Sequence, residues 1–247
     1  MIYAARTNIG RRLKNEDSMY VPPEAGSSVL AIVADGMGGH AAGARASTLA
    51  VEVVSQELSC QTDDIINGDP VARLRTAIRH ANRTVFEHAA TENGCRGMGT
   101  TLTLAYATNE QYIAANIGDS RLYHFDGWTL HQITQDHSLV AVLVQRGEIT
   151  PEEAHIHPQR NIITRALGTA AHEEADYFQR RWNVGERLLL CSDGLHGSVD
   201  DDRMAALLRQ ELPLPEICEH LIDAALENGA TDNITVVILE NTGGAPV

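Results

Sequence analysis

Cysteine is scarce in this sequence, and the few cysteines are dispersed. The chain has four, with no C-x-x-C pair among them: Cys60, Cys95, Cys191 and Cys218. Zinc-binding and thiol-redox motifs usually place two cysteines close together, so neither chemistry is indicated. We expect buried, reduced thiols at all four positions.

Long apolar runs and a basic leader are also missing. No stretch of about 20 apolar residues is available to span a bilayer, and the N-terminal Met1–Arg6 lacks the basic-then-apolar order of a signal peptide. We therefore expect a cytoplasmic protein with no membrane partner. With 247 residues, 43% of them hydrophobic, residues 1–247 are expected to form a single domain.

Positive charge is in short supply. The chain has 19 basic and 33 acidic residues, a formal net charge of −14. Nucleic-acid binding relies on clustered Lys and Arg, so nucleic acid is not an expected partner. An acidic surplus suits a soluble surface and also a protein that binds divalent cations.

Short aliphatic and β-branched segments that end at Gly, Asp or Asn predict strands. There are six: Ser28–Ala34, Thr100–Ala107, Gln111–Ile117, Ser120–Phe125, Arg187–Cys191 and Ile234–Glu240. Gly118 and Asp119 separate two of them and suit a tight turn, which predicts a hairpin there. The sheet is therefore expected to be antiparallel.

Helical patterns predict four helices: Ala41–Leu58, Pro70–Ala90, Asp201–Glu211 and Leu214–Glu227. Asp69 suits the N-cap of the second helix and Pro70 its first turn. Gly229 suits a left-handed cap after the last. Between residues 136 and 168 the pattern breaks into short pieces, which indicates an insertion or a mobile flap.

Aspartates stand where the predicted strands end. Asp35 follows an apolar run and precedes Gly36, and Asp193 follows a second run and also precedes a glycine. Asp232 precedes another apolar strand, and Asp119 lies in the predicted turn. A carboxylate at a strand end is held on a rigid element, and the glycine lets a backbone carbonyl or a ligand approach closely.

Glu16 and Asp17 add an acidic pair just before a predicted strand entry near Met19–Val21. Singly, each of these acidic residues is more often a turn residue than a catalytic one. If the strand ends meet, however, clustered carboxylates without lysines imply bound cations. An all-oxygen ligand set favours Mg²⁺ or Mn²⁺ over zinc.

Six motifs occur together in one order along the chain. They are Arg12-Leu13-Lys14-Asn15-Glu16-Asp17, Val33-Ala34-Asp35-Gly36-Met37-Gly38-Gly39-His40, Gly97-Met98-Gly99-Thr100-Thr101, Asn116-Ile117-Gly118-Asp119-Ser120-Arg121, Cys191-Ser192-Asp193-Gly194-Leu195 and Thr231-Asp232-Asn233-Ile234-Thr235. In this register the chain resembles the PPM family of metal-dependent protein phosphatases, the type-2C class, over essentially its whole length. The compact spacing resembles the stand-alone bacterial branch.

The resemblance implies an α+β fold, a β-sandwich of two antiparallel sheets flanked by helices (α-β-β-α), with a flap insertion near 136–168. It also implies two Mn²⁺ or Mg²⁺ ions per subunit and a weaker third. Asp35 would bridge the two ions, and the Gly36 carbonyl would bind the second. Asp193 and Asp232 would bind the first. Either Glu16 or Asp17 would reach the second through water, and Asp119 with Asp193 would form the third site.

The implied reaction is hydrolysis of phosphoserine or phosphothreonine by direct in-line attack of a metal-bridging water. Arg12 would bind the phosphate, a role that the family register assigns to it rather than to Arg11. His40 is a candidate general acid, and capping or packing at the next helix is an equal alternative. Cys191, inside an apolar strand, is not a candidate nucleophile.

The segment 136–168 would meet the substrate protein, or it is a structural excursion that packs on the body through Leu139, Val142 and Leu143. A solvated pair is a better interpretation of His155 and His157 than metal ligands. Expected partners are phosphorylated Ser/Thr proteins and a cognate Ser/Thr kinase in bacterial signalling, and the protein is expected to be a monomer.

Two other functions remain open from the sequence. An inactive phosphopeptide-binding pseudo-phosphatase would usually have lost at least one site carboxylate, and here every position keeps one. Another two-metal phosphoesterase, such as a nuclease, is disfavoured by the acidic net charge.

Overall fold

Two antiparallel sheets lie face to face in the computed structural model, which describes residues 1–24, 26, 28–38, 42–59 and 68–244. The strands are β1 Ile2–Asn8, β2 Asp17–Tyr20, β3 Ser28–Met37, β4 Gly99–Thr100, β5 Leu102–Thr108, β6 Gln111–Ile117, β7 Arg121–Phe125, β8 Leu130–Gln132, β9 Asp176–Arg181, β10 Arg187–Cys191 and β11 Ile234–Glu240. The first sheet has the order β1-β11-β10-β7-β8. The second has the order β2-β3-β5-β6-β9, with β4 paired to β3.

The described residues form seven helices, most of which cover the outer faces of the two sheets. They are α1 Ala42–Ser59, α2 Pro70–Thr91, α3 Leu139–Gln145, α4 Pro151–Ile156, α5 Asp193–His196, α6 Asp201–Leu208 and α7 Leu214–Glu227. Helices α1 and α2 pack on the second sheet, and α5, α6 and α7 contribute to the apolar core on the outer face of the first. The α+β class and the four-layer sandwich are therefore confirmed.

Three apolar layers hold the sandwich together. The inner layer lies between the sheets and includes Val33, Tyr112, Leu188 and Val237. Helix α2 packs through Leu74, Ile78, Ala81 and Val85, which follow one another at three- and four-residue spacing, while Ala89 is only partly buried. Burial of apolar surface in these layers is the main stabilising term for such a fold.

The residues that the sequence predicts to cap helices do so in the structure. Asp69 caps α2, since its side chain accepts a hydrogen bond from the Ala72 amide (3.1 Å), and Pro70 occupies the first turn. Gly229 adopts a left-handed φ of 84° after α7. No helix among the described residues is long and apolar enough to cross a membrane.

The predicted hairpin at Gly118 and Asp119 is wrong. Strand β6 pairs with β5 and β9 in the second sheet, whereas β7 pairs with β10 and β8 in the first. The chain crosses between the sheets here, and side chains satisfy the buried backbone: Asn116 donates to the Gly118 carbonyl (3.2 Å) and Thr103 donates to the Ser120 carbonyl (2.9 Å). Gly118 has a positive φ of 102°, but the strands on either side of it do not pair with each other.

Candidate active site

Asp17 and Asp35 are directly opposite each other on β2 and β3. Strand β3 does not end before Asp35 as predicted but continues through it to Met37. The backbone at Asp35 is fixed by Thr101, whose hydroxyl accepts from the Asp35 amide and whose amide donates to the Asp35 carbonyl, both at 2.8 Å. The second sheet therefore holds two of the predicted site carboxylates in a fixed register.

The first sheet orients one oxygen of Asp17. Its Oδ2 accepts hydrogen bonds from the hydroxyls of Ser192 (2.7 Å) and Thr235 (2.6 Å), which lie beside each other at the ends of β10 and β11. Its Oδ1 is buried and has no hydrogen-bond partner. The contact joins the two sheets at the edge where the aspartates lie.

Asp193 and Asp232 come from the first sheet. Asp193 is the first residue of the short helix α5, directly after β10, and Asp232 precedes β11. Arg12 donates from Nη2 to Oδ2 of Asp232 at 2.6 Å, and this hydrogen bond raises the Arg12 pKa. The predicted phosphate-binding arginine thus lies next to a predicted metal ligand, whereas Arg11 has no ion pair among the described residues.

Asp119 lies in the crossover between the two sheets and is only 6% exposed. His196 Nε2 donates to the backbone carbonyl of Asp119 at 2.9 Å. Burial lowers the His196 pKa to about 3, so its imidazole is neutral at physiological pH. This histidine holds the backbone that carries Asp119, a role for which the sequence gave no signal.

Carboxylates from the two sheets interact electrostatically. Burial raises the Asp35 pKa well above its ordinary value, and Asp17, Asp193, Asp119 and Asp232 raise it further. Burial also raises the pKa of Asp17 and of Asp193 to about 6, and that of Asp119 to about 7. Mutual repulsion in a buried cluster has this effect, and a cation would relieve it.

The donor set fits hard divalent cations. Four buried carboxylate oxygens have no hydrogen-bond partner: Glu16 Oε1, Asp17 Oδ1, Asp119 Oδ1 and Asp193 Oδ1. Among the described residues, no three His, Cys, Asp or Glu side chains form a complete ion site by themselves. Mg²⁺ normally keeps several water ligands beside one or two carboxylates, so an incomplete protein cage is compatible with it.

The glycines after Asp35 and Asp193 allow close backbone packing. A Cβ at Gly36 would lie 2.0 Å from the carbonyl oxygen of Gly43, and one at Gly194 would lie 2.0 Å from that of Asn233. In both Asp-Gly pairs, the group that packs closely against the glycine is therefore a backbone carbonyl and not a ligand.

Glu16 lies beside the start of α1. Its carbonyl accepts from the Gly36 amide (3.1 Å) and from the Ser47 hydroxyl (2.6 Å). Both Glu16 and Asp17 therefore have a buried, unpartnered carboxylate oxygen at the site, and the choice between them stays open.

Other candidate residues lie elsewhere. His40 is outside the described residues. His155 is exposed, and Nδ1 of His157 accepts from the Gln159 amide (3.1 Å), as suits the predicted solvated pair. Cys191 and Cys218 are fully buried, which raises the pKa of both thiols, that of Cys218 to about 12. Cys95 is only partly buried, so the expected burial is wrong there, and Cys60 lies outside the described residues.

Segment 136–168 forms one wall of a cleft of about 990 Å³ that opens beside the aspartates. Its lining includes Asp119 and Asp193 together with Val140, Ala141 and Ala154 of helices α3 and α4. Neither helix has a fully buried residue, so Leu139, Val142 and Leu143 pack only partly on the body. The segment lies beside the site, as predicted for a flap.

Ser192, Thr235 and Asn233 are site residues whose roles the sequence did not reveal. Each is a polar side chain that is under 5% exposed and lies at the end of a strongly apolar run. A buried polar residue in that position normally has a specific hydrogen-bond partner. An isolated polar residue at the end of an apolar run could therefore have identified the residues that hydrogen-bond to Asp17 and Glu16.

A family model described as Protein phosphatase 2C matches residues 5–230. The chain belongs to the protein phosphatase 2C family. The resemblance seen in the six motifs is therefore confirmed.

Curated relatives agree with this membership. The serine/threonine phosphatase Stp of Listeria monocytogenes is 40% identical over 95% of this chain and 94% of its own length. The serine/threonine protein phosphatase PstP of Mycobacterium tuberculosis is 43% identical over 96% of this chain, which spans 44% of that longer protein.

Solved structures of this family share the fold. The crystal structure of M. tuberculosis PstP superimposes with a TM-score of 0.86 at 43% identity and covers 97% of each chain. A PstP catalytic domain solved in complex with two manganese ions gives a TM-score of 0.84 at 39% identity, again over 97% of each chain.

Proposed function

We propose that this protein phosphatase 2C family member is a metal-dependent protein serine/threonine phosphatase. The observation that carries the proposal is the meeting of carboxylates from both sheets, four of them with a buried, unpartnered oxygen. Relatives that match nearly the whole chain are named serine/threonine phosphatases, and one was solved with two manganese ions.

Asp35, Asp193, Asp232 and the Gly36 carbonyl would hold two divalent cations, with Glu16 or Asp17 reaching one through water. Asp119 and Asp193 would hold a weaker third. When bound, such ions lower the pKa of a shared water and so supply a nucleophile at neutral pH. Mn²⁺ and Mg²⁺ both suit this oxygen donor set.

Arg12 would bind the substrate phosphate. Its guanidinium is already positioned by Asp232, and 55% of its side chain is exposed to solvent at the site. A guanidinium can bind two phosphate oxygens in a forked geometry, which stabilises the charge on the transferred group. His40 remains a candidate proton donor to the leaving serine or threonine oxygen, with capping or packing at the next helix as the equal alternative.

Phosphorylated Ser/Thr proteins follow as the substrate class. A cognate Ser/Thr kinase, a cytoplasmic location, a monomeric state and a single domain over residues 1–247 stay predictions of the sequence.

The test is hydrolysis of a phosphothreonine peptide during a titration with Mn²⁺ or Mg²⁺. We expect activity to require the cation and to fall by at least about a thousandfold in Asp193→Ala, since this residue would serve two ions. Asp119→Ala is expected to lose only the weaker, high-concentration phase of the titration. Undiminished turnover in Asp193→Ala would refute the proposed site.

A further inference from the structure

A single buried side chain closes the loop that carries Arg12. Asn233 Nδ2 donates to the carbonyls of Ile9 (2.8 Å) and Lys14 (3.0 Å), which are the two ends of the loop. Its Oδ1 accepts from the Glu16 amide at 2.8 Å, and the residue is 4% exposed. We call residues 9–14 the clamped loop.

Close backbone packing fixes the clamped loop further. Gly10 has a φ of 60°, and a Cβ there would lie 2.0 Å from the Asp232 carbonyl oxygen. The Gly10 amide also donates to Asn8 Oδ1 at 2.8 Å. The clamped loop therefore packs in one conformation against Asp232, the residue that positions Arg12.

The outer side chains of the clamped loop are apolar and cationic. Leu13 is completely exposed and Ile9 is 42% exposed. Arg11 and Lys14 are also exposed, and neither pairs with an acidic group among the described residues. Arg11 and Lys14 therefore add positive charge on both sides of Arg12, on a chain with a net charge of −14.

We infer that the clamped loop is a recognition surface for acidic residues that flank the phosphorylated serine or threonine of the substrate protein. The inference rests on the proposed function. Arg12 would hold the phosphate while Arg11 and Lys14 attract neighbouring carboxylates and Leu13 contacts an apolar side chain. Charge complementarity mainly sets specificity and association rate, and a rigid loop loses little conformational entropy on binding.

The experiment compares two phosphothreonine peptides that differ only in acidic or neutral flanking residues. We measure kcat/KM for each with wild type, with the double variant Arg11→Ala/Lys14→Ala, and with Arg83→Ala as a matched control. Arg83 is an exposed arginine of α2 without an ion pair among the described residues. Binding of a non-hydrolysable phosphonate version of each peptide gives a second readout that does not depend on turnover.

We expect wild type to prefer the acidic peptide about fivefold in kcat/KM and in phosphonate affinity, and to lose this preference at high salt. The double variant should abolish the preference, while Arg83→Ala should keep it. Leu13→Ala should weaken binding of both peptides by a similar factor.

Equal kcat/KM for the two peptides in wild type would overturn this inference alone, as would the same loss of preference in Arg83→Ala. Absence of turnover of either peptide and of p-nitrophenyl phosphate by wild type would instead overturn the proposed function, and this inference with it.

Discussion

Gly194 illustrates how backbone packing selects individual residues around the site. A Cβ at this position would meet the carbonyl oxygen of Asn233 at 2.0 Å, although real Cβ atoms do not approach closer than about 3 Å. Asn233 in turn holds the loop that carries Arg12. The glycine is thus needed for the geometry of the site even though it contacts no substrate.

Replacing this glycine tests that constraint. We expect Gly194→Ala to lower the free energy of unfolding by about 3 kcal/mol, because the new methyl group must displace Asn233. Gly26→Ala is the control: its nearest neighbour would be the Ser28 carbonyl at 3.5 Å, so a change within about 0.5 kcal/mol is expected. Urea unfolding of both variants measures the difference, and similar values for the two would contradict the packing argument.

At residue level, the sequence predicted that the site carboxylates come together, but it did not predict how their side chains are oriented. Asp17 was a predicted candidate, but its bonds to Ser192 and Thr235 depend on two strands that are far apart in the chain. Long-range hydrogen bonds of this kind leave no local pattern beyond an isolated polar residue in an apolar run.

Among the elements, the central strands were predictable and the edge strands were not. Strands Gln111–Ile117, Arg187–Cys191 and Ile234–Glu240 match their predicted bounds because their buried aliphatic runs end at polar residues. Strand β9, Asp176–Arg181, was missed because it lies at an edge of its sheet and its charged residues are only partly buried or exposed. Edge strands tolerate such residues because one side stays in solvent.

His137 connects the flap to the crossover that carries Asp119. Its Nδ1 accepts from the Gly118 amide (3.1 Å), and its Nε2 lies 3.0 Å from Asp176 Oδ2. Its backbone pairs with Gly118 on one side and with Thr164 on the other (2.9 and 2.7 Å). The base of the flap and one site aspartate therefore share a single support.

We expect His137→Ala to accelerate hydrogen exchange of backbone amides in residues 138–167 by about tenfold, because a buried acceptor and its bond to Asp176 are lost. His137→Asn should recover part of the protection, since its side-chain oxygen can replace Nδ1 as the acceptor for Gly118. His131→Ala is the control, because this exposed histidine pairs with Asp126 and with no other acidic side chain in the described part of the chain. Unchanged exchange in His137→Ala would show that the flap is held by other contacts.

For the whole molecule, the motif order was sufficient to predict the family and the sandwich. It did not reveal how the site carboxylates are divided, because the wrong hairpin placed β6 and β7 in one sheet. In the structure Asp17 and Asp35 belong to the second sheet. Asp193 and Asp232 lie next to strands of the first sheet, and Asp119 lies in the crossover between the two sheets. Pairing between strands that are distant in sequence decides this division, and local patterns do not encode it.

The division of the site carboxylates between two sheets predicts that core substitutions differ in their effect on cation binding. Leu188 lies in the inner layer, whereas Leu74 lies under helix α2, and both are fully buried. Each Leu→Ala change should lower the free energy of unfolding by about 2–5 kcal/mol. Only Leu188→Ala is expected to weaken Mn²⁺ binding in calorimetry, and equal weakening by both variants would count against the idea.

In the proposed ion site, the inner layer of side chains would act as a spacer that sets the distance between the carboxylates of the two sheets. We expect a methyl group added or removed there to change the gap between the carboxylates of the two sheets. Substitutions in the inner layer during evolution would then tune cation affinity while the site carboxylates stay the same.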